Sequence, residues 1–226
     1  MEALLLSIRL ALFVSVILFV IGMPLAYWIA FSSWRGKFLM EALIALPLVL
    51  PPTVLGFYIL IAMGPRGPVG KLWQAAFGHG LAFTFSGLVL ASVLYSLPFA
   101  VQPLIASFES IDRKLLAASF VLGASRLRTF WRVLLPISLP GVVTALVLSF
   151  AHTLGEFGVV LMVGGNLPGI TRTVSIDIYD HVQSLEYTAA NRMALLLLAV
   201  SFVVLSIVYG VNRRIGRRVW SLWPSK

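Results

Sequence analysis

Two titratable side chains, His152 and Glu156, stand within an otherwise apolar stretch of this sequence. They are four residues apart, so a helix would place them on one face. A carboxylate inside a membrane helix costs on the order of 2–3 kcal/mol, and such acids usually face a cavity or a partner. We therefore expect both side chains in or beside a polar pathway, near an outer gate flanked by Gly155 and Gly158. The alternative is a structural carboxylate that fastens helices together.

Prolines and hydroxyl groups within apolar segments form a second set of candidates. Pro47, Pro51 and Pro52 lie close together, and each removes a backbone donor whose usual partner must be satisfied by neighbouring helices or cavity water. This pattern predicts a broken helix that lines a pore, with a rigid kink as the alternative. Four hydroxyl side chains could donate hydrogen bonds to a solute that passes between the helices: Thr53, Ser96, Ser149 and Thr153.

Several kinds of active site are excluded by the residue types present. The sequence has no cysteine, so it can form no disulfide, thiolate metal site or cysteine nucleophile. The stretch from Pro65 to Leu72 has the spacing of a nucleotide-binding phosphate loop, but proline replaces the first glycine and leucine replaces the Mg²⁺-binding hydroxyl. We expect the chain to bind no cofactor or metal, to hydrolyse no nucleotide and to be no enzyme.

The elements that position these residues are predicted to be membrane-spanning helices. Of the 226 residues, 60% are hydrophobic and 11% are charged, whereas soluble domains carry about 25% charged residues. The first apolar run begins with Glu2 where a signal peptide has basic residues, and it is too long for one, so we expect an uncleaved span. About 20 apolar residues cross a bilayer. We predict an all-α polytopic membrane protein with a single domain over residues 1–226 and five transmembrane helices, at about 4–31, 39–63, 81–108, 136–163 and 193–211.

The distribution of basic residues predicts the orientation of these spans. The net charge is +9, and with the N-terminus outside most Lys and Arg residues fall on the inner side, in segments 32–38, 109–135 and 213–226. Cytoplasmic loops are enriched in these residues, so we predict that the N-terminus is out and the C-terminus is in. The excess of basic residues therefore indicates how the chain is oriented in the membrane, and we expect no nucleic-acid partner.

The long inner loop carries the start and stop signals of two short helices. Ser110 or Asp112 can cap the first helix, and Gly123 suits the left-handed residue that follows a helix C-terminus. Ser125 can cap the second helix, and Pro136 then removes a backbone donor and bends the chain into the next span. We therefore predict two cytoplasmic helices at an angle rather than a flexible connector.

The first of these helices presents small residues around one aromatic side chain. Leu116, Phe120 and Gly123 share a face because they are spaced four and three residues apart. Small neighbours allow another surface to approach the backbone closely, as when a helix inserts into a groove of a partner protein. Packing beneath the chain's own helices is the alternative. The small neighbours are Ala117, Ala118, Ser119 and Ala124.

The same loop resembles the EAA loop of bacterial ABC importer permeases. That pattern reads Glu-Ala-Ala, three residues, Gly, nine residues, Ile, one residue, Leu-Pro. The glycine, the apolar position and the Leu-Pro pair match at full spacing in the stretch from Ala117 to Pro136. Ala117 replaces the glutamate and Ser119 replaces the second alanine, so the salt bridge that the family's glutamate could form is not expected here.

Three further stretches resemble the group of these permeases that transports molybdate, tungstate and sulfate. They are LPLVLPPTVLG at residues 46–56, LGEFG at residues 154–158 and the outer turn GPRGPVG at residues 64–70. The likeness extends over nearly the whole chain.

The resemblance implies an ATP-driven importer of an oxyanion in the cell inner membrane, and we expect molybdate, with sulfate or tungstate as alternatives. Two copies of a cytoplasmic ATPase subunit would use ATP and Mg²⁺ as coupling helices of the permease move. An external binding protein would deliver the anion to outer segments 64–80 and 164–191. An ionised Glu156 would repel an anion, so we expect it to gate or pack rather than to bind. The ATPase-coupling residues would be Leu116, Ala117, Ala118, Ser119, Phe120, Gly123, Ala124, Ser125, Arg126, Leu135 and Pro136.

Five spans are few for a gated pore, so we expect a symmetric pair of chains that supplies ten.

The residues leave two other functions open. An ion-coupled secondary transporter could relay protons through His152 and Glu156, although the spans lack the repeat symmetry common in that class. A membrane scaffold could use the inner loop to recruit a soluble partner.

Overall fold

The chain is a set of packed helices in which two spans are interrupted. The computed structural model describes the backbone of residues 1–221 and the side chains of residues 1–210, and every element in that part is helical. The side chains of the basic cluster predicted at residues 213–226 lie outside the described residues. The helices are α1 (Glu2–Phe31), α2 (Lys37–Val49), α3 (Pro52–Met63), α4 (Pro68–Phe77), α5 (Phe85–Glu109), α6 (Arg113–Val121), α7 (Arg126–Thr129), a π turn (Phe130–Leu134), α8 (Leu135–Ile137), α9 (Leu139–Gly155), α10 (Gly158–Gly164), α11 (Val174–Gln183) and α12 (Tyr187–Ser221).

Three helices in the described part are long and apolar enough to cross a membrane unaided: α1, α5 and the Tyr187–Gly210 part of α12. Two further spans are each made of a bent pair. The chain bends by 112° between α2 and α3, and by 73° between the segment Arg126–Ile137 and α9. The five predicted spans are present when each bent pair counts as one.

The break between α2 and α3 follows from two consecutive prolines. Pro51 disfavours the helical conformation at the residue before it, and Leu50 adopts extended angles, φ −73° and ψ 137°. Pro52 begins α3, where a missing amide costs least. Pro47 lies inside α2 without ending it. The predicted broken helix is confirmed, with the break at Pro51 and Pro52 rather than at Pro47.

The fourth span does not begin as predicted. The bend expected at Pro136 lies instead at Ser138, between α8 and α9. In the π turn before Pro136, the backbone N–H of Leu135 donates to the carbonyl of Phe130, five residues earlier. The π turn changes the hydrogen-bonding pattern just before Pro136. The helix can therefore continue past Pro136 although proline has no N–H to donate. The prediction of a bend at Pro136 is therefore wrong.

The same span is also interrupted near its outer end. Helix α9 ends at Gly155, Glu156 is extended with ψ 136°, and α10 begins at Gly158. Glycine on both sides of Glu156 weakens the helix at this point. The predicted continuous helix to residue 163 is therefore two helices.

Helix α1 is central to the packing. Its buried face carries Leu10, Val14 and Leu18, which pack in one cluster with Leu88 and Ala100 of α5. The opposite face of α1 is exposed, and many apolar side chains of α2 and α3 are exposed as well. Helix α12 also buries little of its surface. Exposed apolar faces of this extent indicate contacts with lipid or with partner chains.

Candidate functional site

The two interrupted spans contact each other at their breaks. A Cβ added at Gly158 would lie 2.6 Å from the Cβ of Pro52, and one added at Gly56 would lie 2.9 Å from the Cβ of Met162. Only glycine permits backbones to approach this closely. Helix α10 therefore rests directly on α3, beside Glu156. The sequence indicated the break at Pro51 and Pro52 but not the one at Glu156, and nothing in it showed that the two breaks touch.

The break between α2 and α3 opens onto the surface of the chain. Pro51, Pro52 and Thr53 are all exposed, and the two prolines leave two carbonyls one turn earlier without their helical amide partners. Irregular backbone at membrane depth is tolerated only where protein buries it or a water-filled cavity adjoins it. This surface therefore requires a partner chain or an aqueous pathway beside it.

Three of the predicted polar residues come together between α5 and α9. The hydroxyl of Ser96 lies 2.9 Å from Nδ1 of His152 and 3.0 Å from Oγ1 of Thr153. The His152 ring stacks on Phe99, with 3.9 Å between ring centroids and an interplanar angle of 23°, and its centroid lies 4.8 Å from that of Tyr95. Ser96 and Thr153 are buried, while the three rings are half-buried.

This cluster can hold its protons in more than one arrangement. A hydroxyl has one proton to donate and can accept as well, so Ser96 donates to one of its two partners and accepts from the other. Which partner receives the proton depends on the tautomer of His152. The cluster can therefore change its pattern of donors without a change in charge. Among the described residues, no group of three or more His, Asp or Glu side chains is arranged to hold a metal ion.

Glu156 caps the helix that follows it. The side chain is only 8% exposed, and its Oε1 accepts a hydrogen bond from the backbone N–H of Val159 at 2.9 Å. The first N–H groups of a helix have no partner within the helix, and a carboxylate is well suited to accept from one of them. This contact explains how a buried acid is accommodated here, and the role of Glu156 in gating stays a prediction.

Substitution of Glu156 should separate its capping role from its charge. Glu156→Gln keeps an oxygen that can accept from Val159, so we expect nearly unchanged thermal stability. Glu156→Leu leaves that buried N–H unpaired, at a cost of about 1–3 kcal/mol. Thermal unfolding of the two purified variants in the same detergent measures the difference, and equal midpoints would show that the cap contributes nothing.

The hydroxyl of Ser96 should contribute more to the stability of the fold than that of Ser92, which lies one turn earlier on the same helix. Ser96→Ala removes both hydrogen bonds of the cluster, and we expect a loss of about 1–3 kcal/mol. Ser92 is also buried, but its hydroxyl has no hydrogen-bond partner among the described residues, so Ser92→Ala should be neutral or stabilising. Thermal unfolding of the pair tests this, and an equal loss of stability in both variants would contradict it.

The remaining candidates for the pathway lie apart from this cluster. Ser149 is fully buried and donates its hydroxyl to the carbonyl of Ala145 at 2.7 Å, so its side chain bonds within its own helix. Thr53 stands at the exposed start of α3, and Pro47 is half-buried inside α2. Their positions in a pathway stay predictions.

The inner loop is built as its local signals predicted. Oδ1 of Asp112 accepts from the N–H of Lys114 at 2.9 Å, and Oγ of Ser125 accepts from the N–H of Arg128 at 3.3 Å. Gly123 has φ +79°, the left-handed conformation expected after a helix C-terminus. The two predicted caps and the turn between the helices are confirmed.

A hydrogen bond that was not predicted joins the two helices of this loop. The hydroxyl of Ser119 in α6 lies 2.8 Å from that of Thr129 in α7, and Thr129 is buried. Ser119 stands where the EAA pattern has its second alanine. Its hydroxyl therefore holds α6 against α7, which makes the loop a connected unit.

The predicted coupling residues divide into an outward and an inward set. Leu116 and Leu135 pack against the chain's own core, whereas Phe120 is exposed. The face that Leu116 and Phe120 were predicted to share therefore does not contact a single partner. Two large apolar side chains of the loop that were not predicted are almost fully exposed, Val121 at 87% and Leu122 at 86%. The outward set is Ala117, Ala118, Phe120, Gly123, Ser125, Arg126 and Pro136, with Ala124 and Ser119 half-buried.

A cavity of about 450 Å³ lies beside the turn of this loop, and Gly123, Leu127, Arg128 and Trp131 contribute to its walls. Leu127 and Trp131 are exposed apolar side chains. An exposed apolar surface next to a concave, basic rim is typical of a site that receives part of another protein.

Comparisons with known proteins agree with these features. A family model described as binding-protein-dependent transport system inner membrane component matches residues 11–220. The molybdenum transport system permease protein ModB of Azotobacter vinelandii is 50% identical over 94% of each chain. ModB of Escherichia coli K12 is 35% identical over 91% of this chain and 90% of its own. A chain from Chlorokybus atmophyticus described as a probable sulfate transport system permease protein is 33% identical over 89% of this chain and 69% of its own.

Solved structures share the fold at lower sequence identity. A chain of a bacterial alginate ABC transporter, solved in complex with a periplasmic protein, superposes with a TM-score of 0.75 at 19% identity and covers 95% of this chain and 78% of its own. A chain of the MetNI methionine ABC transporter in an inward-facing conformation gives a TM-score of 0.73 at 17% identity, with 94% of each chain covered. The family model matches most of this chain, and the relatives named above are up to 50% identical to it. This chain therefore belongs to the family of binding-protein-dependent transport system inner membrane components.

Proposed function

We propose that the chain is the membrane-spanning subunit of an ATP-driven importer of molybdate in the cell inner membrane. The observation that carries the proposal is the set of molybdenum transport permeases to which the chain is similar over almost its whole length. The sequence contains no phosphate loop, so in this proposal the energy of ATP hydrolysis reaches the chain from a partner. A cytoplasmic ATPase subunit that uses ATP and Mg²⁺ would supply it.

The inner loop provides a mechanical route from that ATPase to the membrane. Helices α6 and α7 are tied by the Ser119–Thr129 hydrogen bond, and α7 continues through the π turn and α8 to Ser138. Helix α9 begins directly after it and carries His152 and the break at Glu156. A displacement of the loop by the ATPase would therefore reach the polar cluster and the helix breaks through consecutive helices, α7, α8 and α9, across the bend at Ser138.

A second copy of the chain would cover the exposed break between α2 and α3. Each copy presents Pro51, Pro52 and Thr53 at this surface, and a two-fold pair would bring the two breaks to a common axis with an ATPase subunit beneath each chain. The anion would pass there, with Thr53 as a donor and with Ser96, Thr153 and His152 reached when their cluster rearranges. High affinity would reside in the external binding protein, so these contacts need only be transient.

The outer side offers an ordered surface for that binding protein. Arg172 donates through Nε to Oδ1 of Asn166 at 2.6 Å and lies 3.4 Å from the carboxylate of Asp180, and His181 lies 2.8 Å from Glu186. These contacts fix α11 and the turn before it. The amphipathic helix α4 occupies the other outer segment.

Uptake in a strain without its own oxyanion carriers tests the substrate. With the cognate ATPase and binding protein co-expressed, we expect ATP-dependent accumulation of labelled molybdate. Unlabelled tungstate should compete strongly, and an equal concentration of sulfate should compete weakly. Because one relative is described as a sulfate permease, sulfate is the second candidate, and stronger competition by sulfate than by tungstate would favour it.

The same cells distinguish the classes of transporter. Uptake that continues after ATP depletion but stops when the ion gradient collapses would indicate an ion-coupled secondary transporter. Stable association with the ATPase without any uptake of the three anions would indicate a scaffold. Either outcome would overturn the proposal.

A further inference from the structure

An apolar groove of about 620 Å³ runs between α1 and the inner loop. One wall is the stretch of α1 from Phe19 to Tyr27, and the other is formed by Leu127, Phe130 and Trp131. The stretch of α1 is about 12 Å long, at 1.5 Å per residue. The groove therefore reaches from within the membrane to the level of the inner loop.

The groove is continuous with a face of α1 that the chain leaves uncovered. Val16 and Val20 are 61% and 63% exposed, and Leu12 and Pro24 are exposed in the same i, i+4 series. A long apolar stripe on a membrane span that no helix in the described part of the chain covers can face the hydrocarbon of the bilayer. An acyl chain could thus enter the groove sideways from the bilayer.

The water-facing end of the groove carries one charge. Among the described residues, Arg126 is the single charged one in the groove wall, and no carboxylate lies within ion-pair distance of its guanidinium. The surrounding loop has five basic residues and one acid, Asp112, between residues 110 and 138. Basic pockets beside spans on the cytoplasmic side attract anionic lipid headgroups.

We propose that this groove binds an anionic phospholipid of the inner leaflet, with an acyl chain along α1 and the phosphate on Arg126. A zwitterionic headgroup would bring its ammonium group into an already positive region, so an anionic headgroup fits better. The site lies outside the pathway and needs neither substrate nor ATP, and it therefore goes beyond the proposed function. Its occupant would contact α1 and the coupling loop together.

Native mass spectrometry of the full chain in detergent tests the headgroup. Phosphatidylglycerol and phosphatidylethanolamine with identical acyl chains are titrated separately, and we expect phosphatidylglycerol to be retained more tightly. Arg126→Gln should weaken its binding about fivefold, which corresponds to roughly 1 kcal/mol for one basic residue. Arg132→Gln removes the same charge from the same loop, but Arg132 is not in the groove wall, and binding should stay unchanged. Equal retention of the two lipids, or equal effects of the two variants, would overturn the proposal.

A second pair of variants tests the acyl chain. Val20→Trp fills the groove, whereas Val16→Trp places the same bulk one turn earlier on the exposed face, outside the groove wall. Only Val20→Trp should reduce phosphatidylglycerol binding, and inorganic phosphate at the same concentration should not displace the lipid. The assembled complex with the ATPase is titrated in the same way. If it retains no more phosphatidylglycerol than the Val20→Trp complex, a protein surface covers the groove and the proposal fails.

Discussion

Gly123→Val is expected to abolish ATPase binding and molybdate uptake while the chain still inserts into the membrane. Gly123 has φ +79°, a conformation that a β-branched residue adopts at a cost of roughly 1–2 kcal/mol. Apart from its two chain neighbours, no described residue has a heavy atom within 4 Å of a Cβ added there. The added side chain therefore points into open space in the free chain, into the region that the proposed ATPase would occupy.

A glycine in the same conformation elsewhere provides the control. Gly78 ends α4 with φ +75°, and a Cβ added there also meets nothing within 4 Å. Gly78→Val carries the same backbone strain on the outer side, so it should leave ATPase binding intact. Co-purification of a tagged ATPase with each variant, together with uptake, measures the effect. If Gly123→Val retains its ATPase, or if Gly78→Val loses it equally, the inner loop is not the docking site.

A third variant separates strain from close approach. Asparagine tolerates the left-handed conformation better than most residues, so Gly123→Asn should preserve the turn while adding a side chain. We expect intermediate ATPase binding if the partner packs closely against this position. Full recovery would mean that the glycine is required only for the shape of the turn.

Gly158→Ala is expected to reduce molybdate uptake about tenfold or more while ATPase binding persists. The added Cβ would lie 2.6 Å from the Cβ of Pro52, and the proline ring cannot rotate away because it is closed onto the backbone. The two helix breaks must then move apart. Overpacking of this kind costs about 1–3 kcal/mol. If that cost falls on one conformation of the transport cycle, a difference of about 1.4 kcal/mol changes its population tenfold.

Gly155 serves as the matched control for this substitution. It stands at the end of α9, three residues earlier, and a Cβ added there meets nothing within 4 Å. Gly155→Ala should leave uptake near the level of the unmodified chain, since the added methyl group displaces no neighbouring side chain. Transport assays in proteoliposomes with the purified complex measure the pair. Equal uptake by both variants would show that the contact between the breaks does not control transport.

The two predictions concern positions on either side of α9: Gly123 lies before α7, and Gly158 begins α10. Loss of ATPase binding with Gly123→Val and retained binding with Gly158→Ala would separate docking from passage through the membrane. The three residues Ser96, His152 and Thr153 lie between these positions, on α5 and α9. A loss of uptake in Ser96→Ala beyond its loss of stability would indicate that this cluster takes part in the pathway.

The sequence by itself determined the features that depend on local chemistry. Hydropathy over about 20 residues predicted the spans, and two adjacent prolines predicted the break before α3. Asp112, Gly123 and Ser125 predicted the turn of the inner loop, because capping and left-handed conformations depend on residues only a few positions apart. A one-dimensional pattern is sufficient for each of these.

Only the tertiary structure decided which of these features meet. Gly158 contacts Pro52, and Ser96 contacts His152, across more than fifty positions of sequence in each case. The hydroxyl of Ser149 bonds within its own helix although its residue type suggested the pathway. The polar pattern alone cannot distinguish a hydroxyl that faces a cavity from one that bonds its own backbone, because the packing of neighbouring helices determines which surface each side chain reaches.

The position of the bend before α9 was also decided by the structure. It lies at Ser138 rather than at Pro136, because the backbone donor lost at Pro136 is compensated by a change in the hydrogen bonding of the preceding π turn.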